Sequence, residues 1–152
     1  MMRNLIISAA IVTTAFAVQA NAEGVGIGKY VWNAKESHYS TGNYTTEQTM
    51  EIKKNDKDGI AVSQVVTPLD GKTFSWHIEA PYDDVMRPGS TWMSFAFSRI
   101  SDNQFHDRYK MNDTGIEGEE TYTITEKKLT IEGAAIIKGK KEPYVEVWDK
   151  VE

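Results

Sequence analysis

The chain contains no cysteine. Disulfide frameworks, thiolate metal sites and cysteine nucleophiles are therefore closed to it. No lipoprotein-type attachment site exists for the same reason. Basic residues are in the minority, 17 Lys and Arg against 22 Asp and Glu, and they form no stripe. Such a surface repels nucleic acid and anionic lipid. Beyond the N-terminal leader no run is apolar enough to span a bilayer. No segment has the 3.6-residue periodicity of an amphipathic helix, and no Gly-x-Ser-x-Gly elbow marks a hydrolase.

What is present begins with a leader. Arg3 precedes an apolar or small-residue stretch over residues 5–18, and Ala20-Asn21-Ala22 has the small-x-small form of a signal-peptidase site. The pattern predicts a signal peptide over residues 1–22, with cleavage before Glu23, or alternatively an N-terminal anchor. Cleavage leaves a single domain over residues 23–152, or 152 − 22 = 130 residues, with formal charge −6 once Arg3 is removed from a total of −5. A chain of that length can bury a core without covalent staples. The expected location is the periplasm or the extracellular space.

From Lys29 onward the text alternates strand and turn. Strand-like stretches are KYVWN, YTTEQTMEIKK, IAVSQVV, TFSWHIE, STWMSFAFSRI, QFHDRYKM, IEGEETYTITE, KKLTIEGAAII and YVEVWDKV. NDKDG, PLDGK, SDN, NDTG and KGKKEP separate most of them. Connections this short join neighbours, so the expected fold is all-β: an antiparallel meander closing into a barrel of about 8 to 10 strands, with a β-sandwich as the alternative. EGVGIG before the first strand reads as a flexible lead-in. It lacks the preceding strand that a phosphate loop requires.

Alternation assigns faces. In TFSWHIE, Phe74, Trp76 and Ile78 share one row, and His77 and Glu79 the other. The first row is expected to face inward. His77 and Glu79, which could pair on a metal, are expected to face solvent, and no metal or cofactor is expected. His38 and His106 are the remaining histidines. Adjacent Glu119 and Glu120 should point to opposite faces and cannot share one site. Trp76, Phe95, Phe97 and Tyr109 are the candidate apolar lining of an interior pocket, with Arg99 and Asp107 as polar groups on the same face. The hairpin register decides whether they share that face, and two registers are open. A two-residue loop at Asp102-Asn103 pairs Ile100 with Phe105. A three-residue loop pairs Arg99 with Asp107 and Phe97 with Tyr109, and is favoured for its charge match.

Several motifs in order resemble a family. GKYVWNAKES is similar to the Gly-x-Trp-x-x-Asn-x-x-Lys-Ser opening of small exported, lipocalin-like proteins of Gram-negative bacteria. DGKTFSW, YDD, SRISDNQFHDRYKMND, KKLTI and YVEVWDK continue the likeness across nearly the whole chain after the leader. Tyr30 stands where that family often has Trp, with Trp32 two residues on, and Asp84 stands where it tends to have Gly. The resemblance implies an exported antiparallel barrel, mostly without assigned activity, and offers no catalytic residue. The opening also resembles the Gly-x-Trp start of true lipocalins, and that likeness implies that Trp32 helps close one end of the barrel.

Three functions follow as expectations. The first is binding of a small, largely apolar ligand inside the barrel. The second is an envelope interaction or stress protein with a filled barrel and an exposed patch of Tyr39, Tyr44 or Tyr82. The third is an enzyme with His77 or His106 as acid or base. The first is preferred, and with it a protein that is not an enzyme.

Overall fold

The computed structural model describes residues 24–152; the leader and the cleavage point before Glu23 lie outside them. The described residues contain eleven strands and no helix. These are β1 (Gly28–Trp32), β2 (His38–Tyr39), β3 (Thr45–Asp56), β4 (Gly59–Pro68), β5 (Phe74–Ala80), β6 (Arg87–Pro88), β7 (Met93–Arg99), β8 (Gln104–Met111), β9 (Glu117–Ile124), β10 (Lys128–Ile137) and β11 (Lys140–Lys150). The two-residue β2 and β6 are the elements that alternation alone does not reveal.

All eleven strands belong to one antiparallel sheet, ordered β5-β4-β3-β1-β11-β10-β9-β8-β7-β6, with β2 also paired to β11. The ends of this order approach each other, and the His77 amide donates to the Gly89 carbonyl at 3.2 Å. The meander is thus a nearly closed barrel, which leaves little free edge for another chain to pair with. A single continuous sheet is not a sandwich. Two register shifts in β3, between Thr45 and Glu47 and between Ile52 and Lys54, are bulges that coil this longest strand around the core.

Asp side chains set the turns. Asp56 Oδ1 accepts from the amides of Asp58 and Gly59, and Asp70 Oδ1 from that of Lys72. NDKDG is therefore a hairpin turn. Asp84, at the slot where the resembled family carries glycine, has φ 57°. This left-handed conformation is costly for a residue with a Cβ. Arg108 holds it there by donating to its Oδ1 and its carbonyl, each at 3.1 Å.

The β7–β8 hairpin takes neither expected register. Arg99 pairs with Phe105, Phe97 with Asp107, and Phe95 with Tyr109. The loop is Ser101 to Asn103, since the amides of both Ile100 and Ser101 reach the Gln104 carbonyl at 3.0 Å. Asn103 fixes this register from outside the hairpin by accepting the Ile124 amide of β9. Relative to the favoured register the strands slide by an even step, so every side chain keeps its expected face. The Arg99–Asp107 charge match is lost.

The lower end of the barrel is sealed. Residues 24–27 are held against it rather than free. The Asn55 amide donates to the Val25 carbonyl at 2.8 Å, and the Tyr30 hydroxyl to the Gly26 carbonyl at 2.7 Å. The Tyr82 hydroxyl donates to Asn55 Oδ1, and the Arg99 guanidinium lies 6.0 Å from the Tyr82 ring. Tyr30, not Trp32, anchors the closing segment. Trp32 sits one inward step higher, against Tyr39.

Candidate functional site

Inward rows converge on a chamber in the upper half of the barrel. The lower half is solid, filled by Ile52, Ile60, Phe105, Ile124, Leu129 and Trp148, all buried. Above this floor lies a cavity of about 280 Å³. That is close to the lower bound of ordinary ligand pockets, about 300 Å³. Its wall is aromatic: Phe74 and Trp76 from β5, Trp92, Phe95 from β7, Tyr109 from β8, and Tyr144 from β11. Tyr44, exposed in the β2–β3 loop, stands at the rim beside Tyr39.

Two glycines shape this wall. Gly118 is paired with Tyr109, and a Cβ at Gly118 would fall 2.3 Å from the Tyr109 ring. Gly133 is paired with Tyr144, and its Cβ would fall 2.7 Å from that ring. Each tyrosine thus lies flat over the strand beside it, which only a residue without a side chain permits. The two hydroxyls meet at 3.2 Å.

The floor is acidic. Cross-strand pairing sets Asp107 beside Glu120, and Glu120 beside Gly133. The Tyr122 hydroxyl lies 2.6 Å from Glu120 Oε2 and 3.0 Å from Asp107 Oδ2. One hydroxyl has one proton to give, so the second contact needs a proton from a carboxyl. Burial, reinforced by the charge of Glu120, raises Asp107 well above the usual carboxylate range. That shift favours the neutral acid at Asp107, the form that can share the Tyr122 hydroxyl with an ionised Glu120. Burial raises Glu120 too, against hydrogen bonds from Tyr122 and Tyr144 that favour its ionised form. Asp107 Oδ1 has no partner among the described residues.

Glu146 is the third interior carboxyl. It accepts from the Tyr39 hydroxyl at 2.7 Å and from Trp148 Nε1 at 3.1 Å. Burial first, then the Glu120 charge, pushes it up to about 7. A relay of donors points at it: Gln64 to Gln48 at 2.6 Å, and Gln48 to the Tyr39 hydroxyl at 3.3 Å. Burial also raises Tyr39, Tyr122 and Tyr144, so all three remain donors at neutral pH.

The six residues expected to line a pocket separate into three groups. Trp76, Phe95 and Tyr109 line the chamber. Phe97 and Asp107 are buried outside its lining, Asp107 next to Glu120. Arg99 belongs to the sealed end, where it donates to the Asp56 carbonyl and to Asp102 at 2.7 Å. It does not meet Asp107. Tyr39, Tyr44 and Tyr82 form no outer patch: Tyr39 is buried, Tyr44 is on the rim and Tyr82 is at the opposite end. His38 and His77 are exposed, His106 is half-buried beside Thr121, and no histidine lines the chamber. Among the described residues no cluster of metal-ligating side chains occurs, and no helix is long and apolar enough to cross a membrane. Glu120, Tyr144 and Glu146 were missed because YVEVWDK and IEGEETYTITE carry polar residues on both rows. The signal available was that Glu120 and Tyr122 keep step with Ile124, as Tyr144 and Glu146 do with Trp148.

No protein-family model matches the chain, and no curated protein matches it. Solved structures do match. The fluorescent protein UnaG is similar over 83% of this chain and 97% of its own, with TM-score 0.55 and 12% identity. The secretory abundant heat soluble protein 4 of Ramazzottius varieornatus covers 83% and 94%, with TM-score 0.57 and 11% identity. A redesigned β-barrel, mFAP1, solved bound to DFHBI, covers 82% and 94%, with TM-score 0.52 and 9% identity. The chain shares the fold of these small β-barrels. At such identities the likeness is one of fold alone.

Proposed function

We propose that this is an exported binding protein, periplasmic or secreted after loss of residues 1–22, that carries a small molecule in the upper chamber of its barrel. The molecule's body is largely apolar and of modest size. The observation that carries the reading is the cavity of about 280 Å³ with its aromatic wall. A barrel built only for stability has no reason to leave such space, because empty volume costs packing energy. The redesigned barrel mFAP1, of similar fold and solved bound to DFHBI, supports the reading. The leader and the family resemblance support export. The reading favours binding over catalysis because, among the described residues, Glu120 and Glu146 are engaged with tyrosine hydroxyls and no histidine lines the chamber.

The test is intrinsic fluorescence. Trp76 and Trp92 line the chamber, while Trp148 is in the core. Titration with small aromatic and aliphatic compounds is expected to quench or shift the emission for at least one class. Ala135→Leu fills lining space without adding polarity. It is expected to abolish that response while lowering stability by no more than about 3 kcal/mol, the usual upper cost of added interior volume. An unchanged response in this variant would place the ligand outside the barrel.

A further inference from the structure

The chamber wall is aromatic, yet its charge is of one sign. Glu120, Glu142 and Glu146 line it, and no Lys, Arg or His does. Glu142, at the mouth, is already paired with Lys140 at 2.7 Å. Among the described residues, neither Glu120 nor Glu146 is paired with a cation. Their partners are neutral donors: Tyr122 and Tyr144 for the first, Tyr39 and Trp148 for the second. Asp107 faces the interior beside Glu120, fully buried, with Oδ1 unpartnered. Arg99, the cation that sequence placed nearby, is engaged at the sealed end. Buried carboxylates without counter-ions are expensive and ordinarily paired.

We propose that the chamber selects a positively charged organic molecule, a protonated or quaternary amine on a small apolar body, with Glu120 and Glu146 as its counter-ions. This rests on the binding reading above and adds the ligand's charge. Aromatic rings around a carboxylate floor suit an ammonium group doubly, by attraction to the ring quadrupoles and by direct charge pairing. An anionic ligand would add another negative charge to a low-dielectric space that already holds two acids. A neutral one would leave them uncompensated. A bare metal ion is a poorer fit, because no cluster of three ligating side chains occurs among the described residues.

The experiment is calorimetric titration of the full protein, without its leader, at pH 7.5. Three probes share a phenyl ring and differ in charge: phenethyltrimethylammonium, 2-phenylethanol and 3-phenylpropionate. The cation is expected to bind at least about tenfold more tightly than the alcohol, and the carboxylate more weakly than both. Glu120→Gln is expected to bring the cation's affinity down to that of the alcohol. Glu146→Gln gives a second reading should the first variant fold poorly. Equal binding of all three probes, or preference for the carboxylate, would overturn charge selection and leave the chamber reading standing. Binding of none would overturn both.

Discussion

Gly118→Val is expected to lower unfolding free energy by about 3 kcal/mol, read as a fall in the urea midpoint. The cause is geometric. Gly118 lies under Tyr109, and even the first atom of a side chain would fall 2.3 Å from the ring. The ring has to leave the strand, because the colliding atoms belong to a rigid aromatic and not to a flexible tip. Tyr109 then loses its seat between Phe95 and Gly118 and its contact with Tyr144 at 3.2 Å. Tyr144 in turn is a donor to Glu120. The neighbouring control is Glu119→Val. Glu119 faces outward, and its pair with Lys141 is exposed. Exposed pairs are worth little, so this variant is expected to shift stability by less than about 1 kcal/mol. Equal effects at 118 and 119 would mean that Tyr109 does not lie over the strand.

Stability is expected to fall as pH rises from 5 to 8. The direction follows from the sign of the shifts. A carboxyl whose folded value is raised above its unfolded value stabilises the fold fully below the unfolded value, and that contribution is lost as pH rises through the folded one. Glu146 moves from 4.5 to about 7, so the window is the range between them. From this residue alone the loss between pH 5 and 8 is about 2–3 kcal/mol. In a domain of this size that lowers Tm by roughly 10 °C. Asp107 and Glu120 shift in the same direction. The opposite limb belongs to the surface. Arg87 holds Asp83 down to about 2, so its contribution disappears only in stronger acid. Thermal melts across this range check the prediction. A Tm at pH 8 equal to or above that at pH 5 would show that the interior acids have found counter-ions. A bound organic cation should supply them and flatten the profile.

The barrel was legible because strand alternation and short turns survive at any level of sequence identity. TFSWHIE declares its inward row outright: Phe74, Trp76 and Ile78 are apolar, while Ser75, His77 and Glu79 are not. YVEVWDK does the reverse. Val145 and Val147 look like the core row, yet Tyr144, Glu146 and Trp148 are the ones that face inward. An interior that needs polar groups cannot announce itself by hydrophobicity. The hairpin register was hidden for another reason. Matching Arg99 with Asp107 considers only the two strands, whereas the register is fixed by Asn103 reaching β9 and by Arg99 reaching the Asp56 carbonyl. Gly118 and Gly133 carry no signal of their own within IEGEETYTITE and KKLTIEGAAII. Their purpose appears only when the tyrosines opposite them are known.

The hollow upper chamber is the claim on which binding and charge selection both depend. Diffraction from a crystal of the mature protein under xenon pressure tests it most directly, since xenon enters space that is apolar and unfilled. The account predicts xenon density inside the barrel, between Trp76, Tyr109 and Tyr144. Absence of internal density, with Trp92 or Tyr109 turned inward to fill the space, would contradict it.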